Sequence, residues 1–230
     1  MNARTFETVC CSASDSCWKT CHTLLDYNTV KATSARPFPD ATNPEILFQC
    51  SANDFLAQYY GSIGVDSNLY NSYEDGDLRR TIDYQPMLSG IGHFFKGNYT
   101  GGFYPFAGLA VDEVLLTRAE CYARTGLAAA ALNDLDTLRI RRLKIEQFRP
   151  LPITTADSAL QLVLQERRKE TPFRELRWID LRRLGPENRL TIKRTLGSAS
   201  YALLPGDLRY TFLIPESEIK YGGIPQNPTP

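Results

Sequence analysis

Two glutamates in one arginine-rich stretch, ERRKETPFRELRWIDLRRLG at positions 166–185, have the types and spacing that acid–base chemistry needs. Glu166 and Glu170 stand four positions apart, so a helix would bring both carboxylates onto one face. Paired carboxylates hydrolyse glycosidic bonds when one of them has a raised pKa and acts as an acid. Both glutamates have arginines beside them, and such neighbours keep a carboxylate ionised. We therefore rank a carboxylate-dependent hydrolase last among the functions considered and assign no catalytic residue.

Two other clusters have the residue types of metal ligands. Cys17 and the pair Cys21-His22 resemble half of a zinc site, but no second pair of ligands follows at the spacing of a zinc finger. The acidic run at 74–77 offers oxygen ligands around a glycine, yet it lacks the alternate spacing and the later glutamate of a calcium loop. We interpret the first cluster as unpaired thiols and the second as a turn, and we predict neither a metal nor a cofactor.

The basic residues of the 166–185 stretch also raise the question of nucleic-acid binding. Its arginines alternate with acidic residues and with rings such as Phe173 and Trp178, and the whole chain has 26 basic and 26 acidic residues. A nucleic-acid surface needs a basic stripe with few acids among it. We therefore predict no nucleic-acid partner and expect arginine–carboxylate pairs that pack against aromatic rings.

The composition and hydrophobic patterning of the sequence change along its 230 residues. We interpret residues 1–30, which are polar and cysteine-rich, as a poorly patterned leader. Residues 31–230 are interpreted as one domain that is loop-rich over 31–108, helical over 111–185 and extended over the tail from 186. No run of about 18 apolar residues predicts a transmembrane helix, and the N-terminus lacks the apolar core of a signal peptide.

A helical hairpin is the clearest structural prediction. In VDEVLLTRAECYARTG, residues 111–126, apolar side chains recur at intervals of three and four, and Gly126 is suited to end the helix in a left-handed conformation. A second apolar stripe runs from Ala128 to Leu138. Two antiparallel helices joined at a glycine form a hairpin of the tetratricopeptide kind. The predicted fold class is mostly α, with such hairpins and irregular loop-rich segments.

The remaining elements are predicted from their boundaries. A third helix starts after Thr154 or Thr155 and runs to about Glu170, where Pro172 ends or kinks it. A shorter helix follows over about 175–184. Strands are predicted by the apolar runs, which lie at residues 46–48, 201–204 and 210–214.

Three segments together resemble one known family. VDEVLLTRAECYARTG (111–126), the 166–185 stretch and FLIPESEIKYGGIPQNP (212–228) are similar, in this order and spacing, to motifs in the C-terminal portion of the SusD/RagB family of nutrient-binding outer-membrane lipoproteins. NPEILF (43–48) and YEDGDLRRTIDY (73–84) also stand where that family has similar segments. The resemblance covers about residues 40–230 and implies a partial SusD-like α superhelix.

The resemblance assigns the motif residues to the structural framework and not to a catalytic centre. These framework residues are Glu120, Arg167, Arg168, Glu170, Arg177, Trp178, Asp180 and Arg182. Family members are about twice as long and carry an export signal, a lipid-modified cysteine and further hairpins upstream. We therefore expect a truncated or mis-started reading frame, with membrane attachment through a lipid anchor that this chain lacks.

Ligand contacts are expected in the aromatic-rich segment 55–106. Sugar rings have apolar faces that lie on aromatic side chains, while polar neighbours bind their hydroxyls. We select the tyrosines with polar, glycine-rich neighbours, together with adjacent amides. The predicted ligand-binding residues are Tyr70, Tyr73, Tyr99, Asn71 and Asn98.

The resemblance implies a non-catalytic function. The leading hypothesis is binding of an oligosaccharide or other nutrient at the outer membrane surface, for delivery to a SusC-like TonB-dependent transporter. The alternative is a helical scaffold for protein–protein interaction without a small-molecule ligand, suggested by the hairpin at 111–142.

Overall fold

The computed structural model describes residues 3–38, 43–51, 63–102, 104–187 and 190–229. The chain divides into two compact units, Met1–Arg174 and Glu175–Pro230, and each unit is described by itself. The prediction of a mostly α fold is confirmed.

The first unit combines helices with two small antiparallel sheets. Its helices are α1 (Ala3–Thr20), α2 (Ser67–Tyr70), α3 (Arg79–Ile82), α4 (Val111–Arg124), α5 (Ala128–Arg142) and α6 (Ala156–Glu170). Its strands are β1 (Ile46–Phe48), β2 (Tyr84–Pro86), β3 (His93–Phe95) and β4 (Leu109–Ala110). β1 pairs with β4, and β2 pairs with β3. The strand predicted at 46–48 is therefore confirmed.

The predicted hairpin consists of α4 and α5, joined at Gly126, whose φ of 86° is the left-handed conformation that favours glycine. Helix α4 packs against α1, α5 and α6. The core between α4, α5 and α6 is built from their apolar stripes, with Leu115, Ala119, Leu135 and Val163 fully buried. Small residues at the crossing let the helices approach closely, which is why the alanine-rich start of α5 suits this position.

Helix α1 differs from the poorly patterned leader that the sequence predicts. It packs against α4, and its Asp15 carboxylate lies 3.1 Å from the Arg118 guanidinium. Arg118 also lies over the ring of Trp18, which packs against the core. Ser14 is buried. Helix α1 therefore packs through a buried serine and an ion pair, and it has no long apolar stripe. Hydrophobic periodicity gives little sign of such a helix.

Helix α6 begins and ends where the sequence indicates. The Thr155 hydroxyl accepts a hydrogen bond from the Ser158 amide and caps the first turn. The helix ends at Glu170, before Pro172. The chain then forms an arch in which Phe173 and Glu175 have φ values of 55° and 60°. A side chain makes this conformation unfavourable, so the arch stores strain.

The strain at Glu175 can be tested by substitution, because this side chain is exposed. Glu175→Gly is expected to raise the free energy of unfolding by up to about 1 kcal/mol, since glycine adopts positive φ without a clash of its Cβ. Glu175→Ala is the matched control: it removes the same carboxylate but keeps the Cβ, so we expect no gain. Urea denaturation of the three proteins measures the difference, and equal effects of glycine and alanine would contradict the strain.

The second unit contains more regular structure than the extended tail predicted from 186 onward. Its elements are α7 (Leu176–Leu184), β5 (Ile192–Leu196), β6 (Ala199–Leu203) and α8 (Glu216–Gly222). β5 and β6 form an antiparallel hairpin around the turn at Gly197, so the strand predicted at 201–204 is found with a partner that the sequence pattern did not reveal. Helix α8 follows Pro215 and stops at Gly223, with φ 61°, and these residues are ordinary helix boundaries.

The closing motif of the sequence has a structural role in the second unit. The Gln226 side-chain amide accepts a hydrogen bond from the Ile214 N–H and donates one to the Ile214 carbonyl, at 2.8 and 2.9 Å. Asn227 donates to the carbonyl of Phe212. The segment predicted as a strand at 210–214 therefore bonds to two side chains instead of to another strand.

None of the helices in the described ranges is both long enough and apolar enough to span a lipid bilayer.

Candidate functional site

A network of buried ion pairs occupies the interior of the first unit, where α3, α4, α5 and α6 meet the loop-rich segment. We call it the buried network. Its residues are Glu45, Asp77, Arg79, Asp83, Tyr99, Asp112, Arg142, Glu166, Glu170 and Arg174, all of them buried.

Glu170, from the 166–185 stretch, lies at the centre of the buried network. One of its carboxylate oxygens accepts a hydrogen bond from Arg79 at 2.6 Å, and the other accepts one from Arg142 at 2.7 Å. Arg142 donates further to the Glu45 carboxylate at 2.7 Å and to the carbonyl of Leu25. One arginine of α5 thus joins α6 to the segment that follows α1 and to the loop-rich region.

Arg79 and Arg174 bind the other carboxylates of the buried network. Arg79 lies 2.7 Å from Asp77 and 2.6 Å from Glu166. Arg174, at the strained arch, donates to Asp112 at 2.6 Å. Guanidinium groups suit such positions because each can bind several carboxylates at once.

The Tyr99 hydroxyl connects carboxyl groups that would otherwise repel one another. It donates to Glu45 at 2.7 Å and lies 3.2 Å from Asp112. Its ring packs against the guanidinium of Arg174. This tyrosine holds one loop of the region 98–106 against the helices.

The pKa values of the carboxyls differ according to their partners. Burial, together with nearby Asp112, raises the pKa of Glu45 to about 7, although Arg142 opposes this. Burial also disfavours an ionised Glu166, but Arg79 and Lys169 lower the pKa of that carboxyl to about 2. Burial raises the pKa of Asp83 well above its usual range. The arginine Arg79 therefore keeps the Glu166 carboxyl ionised, whereas the Glu45 carboxyl holds a proton up to about pH 7.

Glu45 predicts a pH dependence of stability. Its carboxyl keeps a proton in the folded protein up to about pH 7, whereas the unfolded chain loses that proton near pH 4.5. The unfolded state binds fewer protons over this range, so the free energy of unfolding should fall as pH rises from 4.5 to about 7. Glu166 acts in the opposite direction, because the stability it contributes is lost as pH falls from 4.5 towards about 2.

Glu45→Gln tests this dependence, since glutamine resembles the protonated carboxyl. We expect its unfolding free energy to vary less with pH than that of the unchanged protein across the interval from 4.5 to about 7. Glu146→Gln, at an exposed glutamate, is the control and should leave the slope unaltered. Urea denaturation at several pH values gives the slopes, and identical slopes for all three proteins would contradict the assignment.

Three carboxylates of the network have the geometry of a metal site. Oxygens of Glu45, Asp112 and Glu170 lie within 4.8 Å of one another. Glu45 and Glu170 already bind Arg142, and Asp112 binds Arg174, so guanidinium groups supply the positive charge that a cation would bring. Glu45 is fully buried, which keeps a dissolved substrate away from the carboxyl of raised pKa. The arrangement is that of a structural ion-pair network.

The predicted framework residues have the following places. Arg167 lies 3.2 Å from Glu113, and Arg168 lies 2.5 Å from Asp66. Glu120 pairs with Arg124 one turn later on α4. In the second unit, Trp178 packs on the rings of Tyr210 and Phe212, and the buried Asp180 binds Arg183 at 2.8 Å. Arg177 is half-buried and Arg182 is exposed.

The structure separates the five predicted ligand residues. Tyr99 belongs to the buried network, and Tyr73 is buried with its hydroxyl bonded to Tyr84 and to the carbonyl of Lys169. Asn98 holds its own loop through bonds to the backbone of Gly102 and Tyr104. All three side chains make hydrogen bonds within the first unit, and glycine-rich neighbours mark a turn as readily as a binding loop. Four further aromatics of the segment, Phe55, Tyr59, Tyr60 and Phe103, lie outside the described residues.

Asn71 is exposed, and Tyr70 is half-buried against Leu69, Tyr73 and Tyr84. The Tyr70 ring stacks on the His93 imidazole, with centroids 3.6 Å apart and planes at 14°. The Arg80 guanidinium lies 5.0 Å from the same ring centroid. Sequence reasoning missed His93 and Arg80, because pairing of β2 with β3 and the short helix α3 bring them to Tyr70. We call Tyr70, Asn71, Arg80 and His93 the Tyr70 surface.

The fold and the network define a helical-hairpin protein with buried ion pairs in the interior of its first unit. Residues 111–211 match the model of the SusD family, which confirms the predicted resemblance. A comparison with curated proteins finds no significant match.

Solved structures share the fold of the chain. A SusD-like carbohydrate binding protein from Bacteroides vulgatus is 18% identical, with a TM-score of 0.63 over 90% of this chain and 53% of its own. A SusD-like protein from Bacteroides fragilis is 16% identical, with a TM-score of 0.72 over 97% of this chain and 62% of its own. The chain thus spans between about half and three-fifths of the length of these neighbours.

Proposed function

We propose that the chain is part of a non-catalytic binding protein that captures an oligosaccharide or similar nutrient at the outer membrane surface. A SusC-like TonB-dependent transporter would receive the nutrient. The match of residues 111–211 to the SusD family is the observation that carries this proposal. The fold supports it, because the chain resembles SusD-like structures over at least nine-tenths of its length, and one of these is a carbohydrate binding protein.

The ligand surface that we propose is the Tyr70 surface. Tyr70 and His93 form a stacked pair of planar rings, and Asn71 is exposed beside it. A sugar can lie with its apolar face on such a pair while an amide and a guanidinium bind its hydroxyls. The buried network holds the neighbouring segment in place, since its residues Asp77 and Arg79 lie between Tyr70 and Arg80 in sequence.

Isothermal titration of the chain against a panel of oligosaccharides tests the proposal. Once a ligand is found, Tyr70→Ala is expected to weaken its binding about twofold to tenfold, because one aromatic contact contributes roughly 0.5–1.5 kcal/mol. Tyr221→Ala, at an exposed tyrosine of the second unit, is the control and should bind as before. If Tyr70→Ala does not change binding, the ligand site lies elsewhere in the chain. If no class of sugar binds, the result counts against glycan capture.

A helical scaffold for a protein partner is the second candidate. The β5–β6 hairpin favours it, because Leu196 and Tyr201 lie on one apolar face and are each more than half exposed. Exposed apolar surface of this kind is common at protein interfaces. A partner protein that binds the unchanged chain but not the Leu196→Asp variant would support the scaffold over glycan capture, provided that the chain binds no sugar.

A further inference from the structure

A cavity of about 10 Å³ lies between the buried network and the arch that follows α6. Asp83, Glu170 and Arg174 are among its polar residues, and Phe95, Phe106 and Phe173 are among its apolar ones. A volume of this size is close to the smallest that can hold one water molecule.

Two polar atoms of the lining residues have no hydrogen-bond partner within the described ranges. They are Oδ1 of Asp83 and Nε of Arg174, and both residues are more than nine-tenths buried. The other nitrogens of Arg174 bind Asp112 and Glu113. Both oxygens of Glu170 bind arginines. The residues that line this cavity therefore include one acceptor atom and one donor atom without a partner in the described ranges.

A glycine at position 97 leaves the space that the Asp83 carboxyl occupies. Gly97 also lines the cavity, and a Cβ at that position would overlap the Asp83 carboxyl. The Asp83 carbonyl accepts hydrogen bonds from the amides of Lys96 and Gly97, which fixes the backbone on both sides. The unpartnered oxygen is therefore held at the cavity by its surroundings.

We propose that one water molecule is bound in this cavity as a permanent part of the fold, hydrogen-bonded to Arg174 Nε and to Asp83 Oδ1. The Arg174 N–H donates to the water oxygen, which satisfies the donor. A cation is disfavoured by the guanidinium, and an anion is disfavoured by the Asp83 and Glu170 carboxyls. Water fits because it is neutral and both donates and accepts, as unpaired buried groups require.

The bound water would link two distant parts of the first unit. Asp83 follows α3, and Arg174 lies at the strained arch, 91 positions later in the sequence. The arch directs Arg174 into the interior, and the water completes the hydrogen bonds of the guanidinium there. Strained backbone persists where the surrounding contacts over-determine it, and this bridge is one such contact.

A crystal structure of the chain, at a resolution that shows ordered water, tests the proposal directly. We expect one density peak at about 2.6–3.2 Å from both Asp83 Oδ1 and Arg174 Nε. An empty cavity or a direct hydrogen bond between the two side chains would overturn the proposal. So would a peak with several oxygens at about 2.3–2.6 Å, because those are distances to calcium.

Water-oxygen magnetic relaxation dispersion gives an independent test in solution, since it counts long-lived buried waters. Asp83→Asn keeps an oxygen at the cavity and should keep the count of the unchanged protein. Asp83→Leu fills the cavity with an apolar side chain and should lower the count by one. Equal counts in all three proteins would contradict the bridge, and the crystal structure of the unchanged chain decides the question if Asp83→Leu fails to fold.

Discussion

Arg142→Ala is expected to lower the free energy of unfolding by about 3–5 kcal/mol, the usual result of removing one partner from a buried ion pair. The Arg142 side chain is fully buried and binds Glu45, Glu170 and the carbonyl of Leu25. Alanine would leave Glu45 without its guanidinium in a site that water does not reach. The Tyr27 ring, 4.1 Å from the guanidinium, would also lose its packing partner.

The neighbouring arginine provides a matched control for this substitution. Arg141 is about half exposed and lies 3.1 Å from Asp26. Surface pairs of this kind contribute about 0–1 kcal/mol, so Arg141→Ala should leave the denaturation midpoint nearly unchanged. Thermal and urea denaturation of both variants measure the difference. Similar losses at the two positions would show that the buried network does not stabilise the fold as its geometry indicates.

Gly108→Ala is expected to cost about 3 kcal/mol, at the upper end of the range for overpacking. A Cβ at this position would overlap the carbonyl oxygen of Phe48 and come within 2.8 Å of the Phe106 ring and 2.9 Å of the Cys50 amide. Two of these three groups are backbone, so no side-chain rotation can relieve the clash. β1 would have to separate from the chain around β4.

Gly64→Ala is the control for the glycine substitution. Within 4 Å, a Cβ there would meet the sulfur of Met87 at 3.7 Å, which is ordinary contact. Its effect on stability should stay within about 0.5 kcal/mol, as is usual for surface substitutions. Circular dichroism during thermal unfolding gives both midpoints. A Gly108→Ala variant as stable as Gly64→Ala would mean that β1 and β4 can separate without loss.

The helical part of the fold could be predicted from sequence because its signals are local. The hairpin of α4 and α5 follows from apolar spacing and from Gly126, and the end of α6 follows from Pro172. Helix α1 could not be predicted in the same way. Its packing depends on an ion pair between Asp15 and Arg118, more than a hundred positions apart.

The sequence could predict that buried arginine–carboxylate pairs exist, but not which residues form them. The alternation of arginine and glutamate over 166–185 indicates arginine–carboxylate pairs, and Glu166 and Glu170 do bind arginines. Their partners Arg79 and Arg142 lie far away in sequence, so composition alone could not identify them. For the same reason, no local pattern reveals that the hydroxyl of Tyr99, a predicted ligand residue, joins buried carboxyls.

The buried network also has a consequence for the kinetics of folding. Its contacts join positions 97 apart, in Arg142 and Glu45, and 91 apart, in Arg79 and Glu170. Contacts of long sequence separation require large loops to close before they contribute, whereas the α4–α5 hairpin is local. We therefore expect the hairpin to form early and the charged groups to lose their water last. Weakening the network should then accelerate unfolding much more than it slows folding.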